Sequence, residues 1–401
     1  MPAAVATRPR PEIRTPGGPR RPRQHGRRSR FRSSKRFLLA LLIVFVGWAG
    51  WSYMRALTAP GNDPVGIRTT EWFKDHYFGW AVNDVERFWY THHQPKKGGA
   101  PTGALGSELQ PGSQPTATAP PEVRHLPAPA PIAPLVSDPM AGEGQWKPLG
   151  ATVRGVPAMY AAFLRPDTVH TSLVTAVAWM DPTLVRLVGY AGVVEPGGGP
   201  WPHQAPIAQS ARPDLLAAFN SGFKMRDSRG GYYSDGRMLR PLQNGAATLV
   251  IRSDGSPDIG QWGRDLQLTP DVVFARQNIV LIVDQGAPVP GIGADNVKWG
   301  ATLGNAVLVW RSGIGITASG ALVYAAGNGL SAASLAGVLA RAGAVRAMEL
   351  DINSTWVDFF TYAPGTTGLT VTKLLPDMRP STSNYLTASS RDFIAVFRRA
   401  S

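Results

Sequence analysis

The chain has 401 residues, no cysteine and a formal net charge of +14, from 41 basic and 27 acidic side chains. The lack of cysteine excludes both a disulfide framework and a thiolate metal site. Eleven Arg and one Lys against a single acid place +11 of that charge in residues 1–36, so the rest of the chain is close to neutral.

Residues 1–36 are rich in Arg, Pro and Gly, with few apolar side chains. They cannot bury enough surface to offset their ordering entropy and are expected to be a disordered basic tail. No aromatic platform or binding fold accompanies the Arg runs, so nucleic acid is not an expected partner. Residues 37–54 follow without a single charge. With Ala56 and Leu57 they form a segment, 37–57, adequate to span a hydrocarbon core of about 30 Å. Trp48, Trp51 and Tyr53 cluster at its far end, as interfacial aromatics do. The basic flank holds the N-terminus in the cytoplasm. The expectation is a single-pass cell-membrane protein, held in lipid through 37–57, with an extracytoplasmic C-terminal domain. The competing reading is a cleaved signal peptide. Its site, Leu57-Thr58-Ala59 followed by Pro60, is a weak one.

Residues 58–93 form a juxtamembrane region. Trp72, Phe73, Tyr77, Trp80 and Phe88 recur at roughly helical spacing among charges, which predicts an amphipathic helix over 71–93. His92 and His93 have no nearby partner set and read as exposed. Residues 94–145, dominated by Pro, Gly, Ala, Ser and Thr, read as an extended linker. Residues 146–401, about 255 in all, are enough for one large core. Short β-like runs dominate there, at 158–164, 172–180, 186–190, 247–252, 279–283, 306–310, 314–317 and 321–326. The chief helix is 331–342, with Ser331 as N-cap, Leu335, Val338, Leu339 and Ala342 as its apolar stripe, and Gly343 as its stop. The fold class is α+β: a mixed, mostly antiparallel sheet with few helices, preceded by one transmembrane helix. Residues 345–352 then alternate. Met348, Leu350 and Ile352 point one way; Val345, Ala347, Glu349 and Asp351 point the other. On a strand the two carboxylates would share a face, roughly 6–7 Å apart.

Three segments, in order, resemble the phosphodiester glycosidase family. Ala218-Phe219-Asn220-Ser221-Gly222-Phe223 resembles that family's Asn-Gly-Gly-Phe/Tyr-Phe turn, and a polar loop, 224–240, follows it. Arg311-Ser312-Gly313-Ile314-Gly315 is similar to its Arg-Thr-Ala-Ile-Gly. Leu350-Asp351-Ile352-Asn353-Ser354-Thr355 falls on its Leu-Asp-Gly-Gly-Gly-Ser. Here Ile352, Asn353 and Ser354 replace three glycines, which in the family let backbone amides approach a phosphate.

The resemblance implies cleavage of a sugar-1-phosphate diester, or a related glycosidic bond, in a cell-surface glycan. The substrate is then a glycan or a glycosyl phosphate. Arg311 suits a bidentate grip on phosphate, and the Asn220 amide a contact to sugar or phosphate. Asn353, Ser354 and Thr355 would supply donors in place of the missing glycines. Glycosyl transfer commonly uses two carboxyls; Asp351 is the first candidate, Glu349 the second and Asp284 the reserve. A phosphate leaving group needs little protonation, so one carboxylate would suffice. No cofactor is called for. A divalent cation on Asp351, Asp284 or Glu349 would be calcium or magnesium, but no spacing demands it. Lys224, Arg226 and Arg229 read as a solvated loop; Trp356, Phe359, Phe360 and Tyr362 read as core. The alternative function is an inactive glycan-binding or scaffolding module of the cell envelope, which the altered glycine segment favours.

Overall fold

The structure, a computed structural model, describes residues 27–76, 82, 84, 85, 88, 92–102, 105, 106, 123–293, 298–300, 307–366 and 368–400. The chain divides into two units, 1–56 and 57–401. In the first, the described part is a single helix, α1 (Arg27–Leu57). It starts ten residues before the uncharged run, because Arg, Lys and Ser cost little inside a helix that is already propagating. The expected disordered tail is thus helical from Arg27, and its residues 1–26 lie outside the described residues. The stretch Arg36–Leu57, of mean hydropathy 1.9, is long and apolar enough to cross a membrane.

The second unit holds the sheets. An eight-stranded sheet runs in the order β1 (Lys147–Pro148), β4 (Met159–Leu164), β5 (Thr175–Met180), β16 (Leu322–Leu330), β15 (Val309–Thr317), β17 (Ala344–Glu349), β13 (Leu281–Asp284), β14 (Ala287–Pro288). A five-stranded sheet has the order β11 (Pro257–Gln261), β10 (Ala247–Arg252), β12 (Val272–Gln277), β8 (Tyr232–Ser234), β9 (Arg237–Arg240). Another has the order β19 (Gly368–Lys373), β18 (Phe359–Gly365), β7 (Leu215–Asn220), β20 (Phe393–Arg398), β6 (Val185–Tyr190). A small hairpin pairs β2 (Thr152–Val153) with β3 (Val156–Pro157). Named strands pair antiparallel throughout, as in β15 with β16 and β17. The class expected from sequence, α+β and mostly antiparallel, is the one observed.

The main core lies where one face of the large sheet meets both five-stranded sheets: Met180, Ile314, Tyr324 and Met348 pack with Phe219, Phe359, Ile394, Leu249 and Phe274. A separate cluster covers other large-sheet side chains, Val177, Trp179, Val323 and Ala347, with the helix Ala332–Arg341. That helix follows α2 (Val65–Asp75) and α3 (Met225–Ser228), and is labelled α4. Ser331 caps it as expected, its hydroxyl accepting from the Ser334 amide while Ser334 Oγ accepts from the Ser331 amide.

Two expectations N-terminal to the sheets change. The amphipathic helix read over 71–93 begins earlier, as α2, and ends at Asp75; most of 77–91 lies outside the described residues. The span 94–145 is no free linker where it is described. Gly98 donates to the Val169 carbonyl (2.7 Å), Leu126 to Asp181 (2.7 Å) and Gly144 to the Phe163 carbonyl (2.8 Å). Ile132 and Leu105 are buried, and Glu143 pairs with Arg165 at 2.7 Å. A proline-rich chain with few apolar residues still docks when its backbone groups and one or two side chains find partners on a finished surface. Residues 103, 104 and 107–122 of that span are outside the described set.

Candidate active site

Four chain segments meet at one pocket. β7 ends at Asn220 and runs into Ser221-Gly222; the chain leaving β17 brings Asp351 and Trp356; residues 384–385 and 389–392 arrive before β20. Asn220 is the last residue of a six-residue strand that is buried throughout, and β20 pairs alongside it, Phe393 opposite Asn220. The lining includes Asn220, Gly222, Asp351, Trp356, Arg391 and Asp392.

Asp351 is held on both oxygens. Oδ1 accepts from the amides of Ile352 (2.8 Å) and Asn353 (2.9 Å), and Oδ2 accepts from Arg391 Nη2 (3.0 Å). Its own carbonyl takes the Ser312 amide (2.9 Å) and hydroxyl (3.0 Å), which ties the loop to β15. Burial pushes the Asp351 carboxyl above its usual range, and Arg391 with the two amides pulls the other way. The Arg391 guanidinium also donates to the Gly222 carbonyl (3.0 Å) and lies over the Trp356 ring, 5.0 Å from its centroid. Asp392 accepts from Arg276 at 2.8 Å in a second buried ion pair.

Asn220 lines the pocket, but its amide is committed inward. Nδ2 donates to the Ser221 carbonyl (2.8 Å) and Ser312 Oγ (3.0 Å), while Oδ1 accepts from Tyr324 (3.0 Å) and the Asp358 amide (3.2 Å). It braces the floor rather than reaching out. Beneath it Asp358 is fully buried, accepting from the Tyr385 hydroxyl and from Asn384 Nδ2 (2.9 Å). No cation contacts it among the described residues, and burial raises its carboxyl to about 7.

Several expected site residues stand elsewhere. Arg311, 1 % exposed, forms an ion pair with Glu349 and donates to the carbonyls of Leu330 (2.9 Å) and Trp299 (3.2 Å); neither it nor Glu349 lines the pocket. Burial raises Glu349 to about 7, against the pull of Arg311. The two carboxylates do not share a surface, because β17 ends at Glu349 and the period of two stops there. Asn353, Ser354 and Thr355 do not line the pocket either; Asn353 Oδ1 accepts from the Thr355 amide (2.9 Å), closing a local turn. Asp284 is bound by Arg264 at 2.7 Å, away from Asp351. Among the described residues no three His, Asp or Glu side chains converge as a metal site. Lys224 and Arg226 are not simply solvated: they pair with Glu71 and Asp75 of α2. Asn62 donates to Thr387 (2.9 Å) and Ser390 to Asp63 (2.9 Å), so residues 61–75 lie along the pocket's rim. Trp356 lines the pocket, whereas Phe359, Phe360 and Tyr362 are core, as expected.

Arg391, Asp392, Asp358 and Tyr385 are not among the site residues expected from sequence. The signal available was the polar run Ser389-Ser390-Arg391-Asp392 directly before an apolar strand, which mirrors the strand-then-polar turn at Asn220.

Residues 214–356 match the phosphodiester glycosidase family. The matched span holds Asn220, Arg311 and Asp351, and ends before Asp358, Arg391 and Asp392. No curated protein matches the chain. Among solved structures, a hypothetical protein from Synechocystis is similar at 14 % identity and a TM-score of 0.37, over 63 % of this chain and 64 % of its own length. A candidate exported protein from Burkholderia pseudomallei is similar at 12 % identity and a TM-score of 0.30, over 56 % of this chain and 74 % of its own. At such scores neither bears on activity.

Two outcomes are expected of this domain. Arg311→Gln strands a buried carboxylate and should cost about 3–5 kcal/mol in chemical denaturation; unchanged stability with loss of ligand would return Arg311 to substrate binding. Asp358 keeps its proton up to about pH 7 when folded but loses it near 3.8 when unfolded. Its stabilising contribution is therefore complete below about pH 4 and lost as pH rises through 7. Asp358→Asn cannot titrate, so its unfolding free energy should gain on wild type between pH 5 and 8, by an amount on the order of 3 kcal/mol in chemical denaturation. A constant difference across that range would show that Asp358 titrates normally.

Proposed function

We propose that the domain hydrolyses a glycosyl phosphodiester, or a related glycosidic bond, in a cell-surface glycan, with Asp351 at the reacting centre. The observation that carries this reading is Asp351 fixed by Arg391 and two backbone amides in the wall of the one pocket that also contains Asn220. A carboxylate so held can attack the anomeric carbon or stabilise positive charge developing there. Asn220 keeps the floor in place, and Trp356 holds Arg391 from its other side. A glycan-binding module without turnover is the second reading. The side chains at 352–354, where the family has glycines, favour it.

Asp351→Asn decides between them. It keeps the shape and removes the charge, so turnover of an N-acetylglucosamine-1-phosphodiester should fall about 10²-fold or more, with sugar binding retained. If wild type binds the diester but releases no sugar under any condition tried, the binding module is correct.

The location belongs to the same proposal: an anchor through residues 37–57, the N-terminus in the cytoplasm and the domain outside. The apolar helix and its basic flank support it. Because the chain has no cysteine, single cysteines report topology directly. In intact cells a membrane-impermeant maleimide should label Ser319→Cys, in an exposed turn, and leave Ser29→Cys unlabelled until the membrane is opened. The reverse pattern would invert the orientation.

A further inference from the structure

Arg391 and Asp392 carry two polar atoms that the protein leaves unused. Their side chains line the pocket, and the residues are 8 % and 2 % exposed. Among the described residues neither Arg391 Nε nor Asp392 Oδ1 has a hydrogen-bond partner. Buried polar groups are almost always paired, so an adjacent orphan donor and orphan acceptor in a pocket wall point to a ligand that both accepts and donates.

The charge around them narrows the class. Arg276 gives Nε to Asp392 Oδ2 (2.8 Å), Nη1 to the Gln277 carbonyl (2.6 Å) and Nη2 to the Phe223 carbonyl, so each of its nitrogens is already engaged with the protein. Arg391 is balanced by Asp351, and its surroundings also include the carboxylates of Asp392, Glu195 and Glu71. The charged groups that act on Arg391 are thus carboxylates. An anion placed here would face Asp351 and Asp392 at close range, whereas a neutral hydroxyl satisfies both orphan atoms without that repulsion.

We propose that Arg391 Nε and Asp392 Oδ1 form a hydroxyl-reading subsite for the uncharged sugar ring of the substrate, not for its phosphate. Arg391 donates to a hydroxyl oxygen, and Asp392 accepts a hydroxyl proton. This rests on the glycosyl-phosphodiester reading given above and adds which part of the substrate the arginine meets. It also assigns specificity to Asp392, which stands outside the span that matches the family.

The test is calorimetric binding to the full chain in detergent. The probes are methyl α-glycosides of N-acetylglucosamine, glucose, mannose and galactose, the monodeoxy forms of whichever binds, the corresponding sugar 1-phosphate, and inorganic phosphate. Wild type should bind one neutral glycoside, and removal of one hydroxyl should weaken it about 10- to 100-fold. Asp392→Asn should weaken the parent glycoside to a similar degree and the matching deoxy sugar hardly further. Inorganic phosphate should not compete with the neutral glycoside. Should Asp392→Asn fail to fold, the deoxy series on wild type and the charge-retaining Asp392→Glu decide instead; both should show the same loss. Sugar binding indifferent to Asp392 and to every deoxy position would overturn the subsite alone, as would phosphate displacing the sugar. Binding of neither sugar nor sugar 1-phosphate by wild type would overturn the glycosyl-phosphodiester reading and the subsite with it.

Discussion

Four carboxyls, Glu349, Asp351, Asp358 and Asp392, are buried where the sheets converge, and the need to offset their desolvation shapes everything around the pocket. An isolated buried carboxylate is too costly to persist, so each must be paired, hydrogen-bonded or protonated. Glu349 has Arg311, Asp351 has Arg391 and Asp392 has Arg276. Among the described residues Asp358 has neutral donors, Tyr385, Asn384 and the backbone amide of Asn220, and burial with the nearby Asp351 pushes it to about 7. Each arginine in turn fixes a piece of backbone. Arg311 holds the carbonyls of Leu330 and Trp299, Arg391 that of Gly222, and Arg276 those of Gln277 and Phe223. The pairs of Arg391 and Arg276 thus stitch segments from different sheets into one pocket wall, which local sequence could not do alone.

How much of this was legible follows from the same point. The strands and the capped helix were readable because apolar alternation and the Ser331 cap are local signals. Asn220 and Asp351 were readable because each sits where a strand gives way to a polar turn. Arg311 and Glu349 were correctly singled out as unusual, yet their pairing with each other depends on the antiparallel register of β15 and β17, which sets Gly313 opposite Glu349. No periodicity within either strand reveals that. Arg391 and Asp392 were opaque for another reason. A charged dipeptide before a strand reads as a solvated edge until β20 is known to lie beside β7, with Phe393 opposite Asn220. The docking of 123–145 was hidden likewise, since composition reports the lack of apolar anchors but not the backbone partners waiting on the domain.

The replacement of the family's glycines has a structural counterpart. With Ile352, Asn353 and Ser354 in place, the loop after Asp351 spends its amides internally: those of Ile352 and Asn353 go to Asp351 Oδ1, and that of Thr355 goes to Asn353 Oδ1. A loop that uses its amides to fix the carboxylate cannot also offer those amides to a phosphate.

That distribution of charge bears on the bond that the site suits. A glycoside with a poor leaving group needs a protonated carboxyl beside the departing oxygen, usually one raised by an apolar pocket. Both acids that line this pocket, Asp351 and Asp392, are instead ion-paired, with Arg391 and Arg276. The acid poised near neutrality in cation-free surroundings, Asp358, lies under Tyr385 and Asn220 and not in the lining. Under the proposed reading, such a site would offer a carboxylate to positive charge at the anomeric carbon and, among the described lining residues, no unpaired acid for the leaving group. A phosphate departs without that help, because it is already a stable anion. Under the glycosidase reading proposed above, the ion-paired Asp351 and Asp392 suit a phosphate leaving group better than an alcohol.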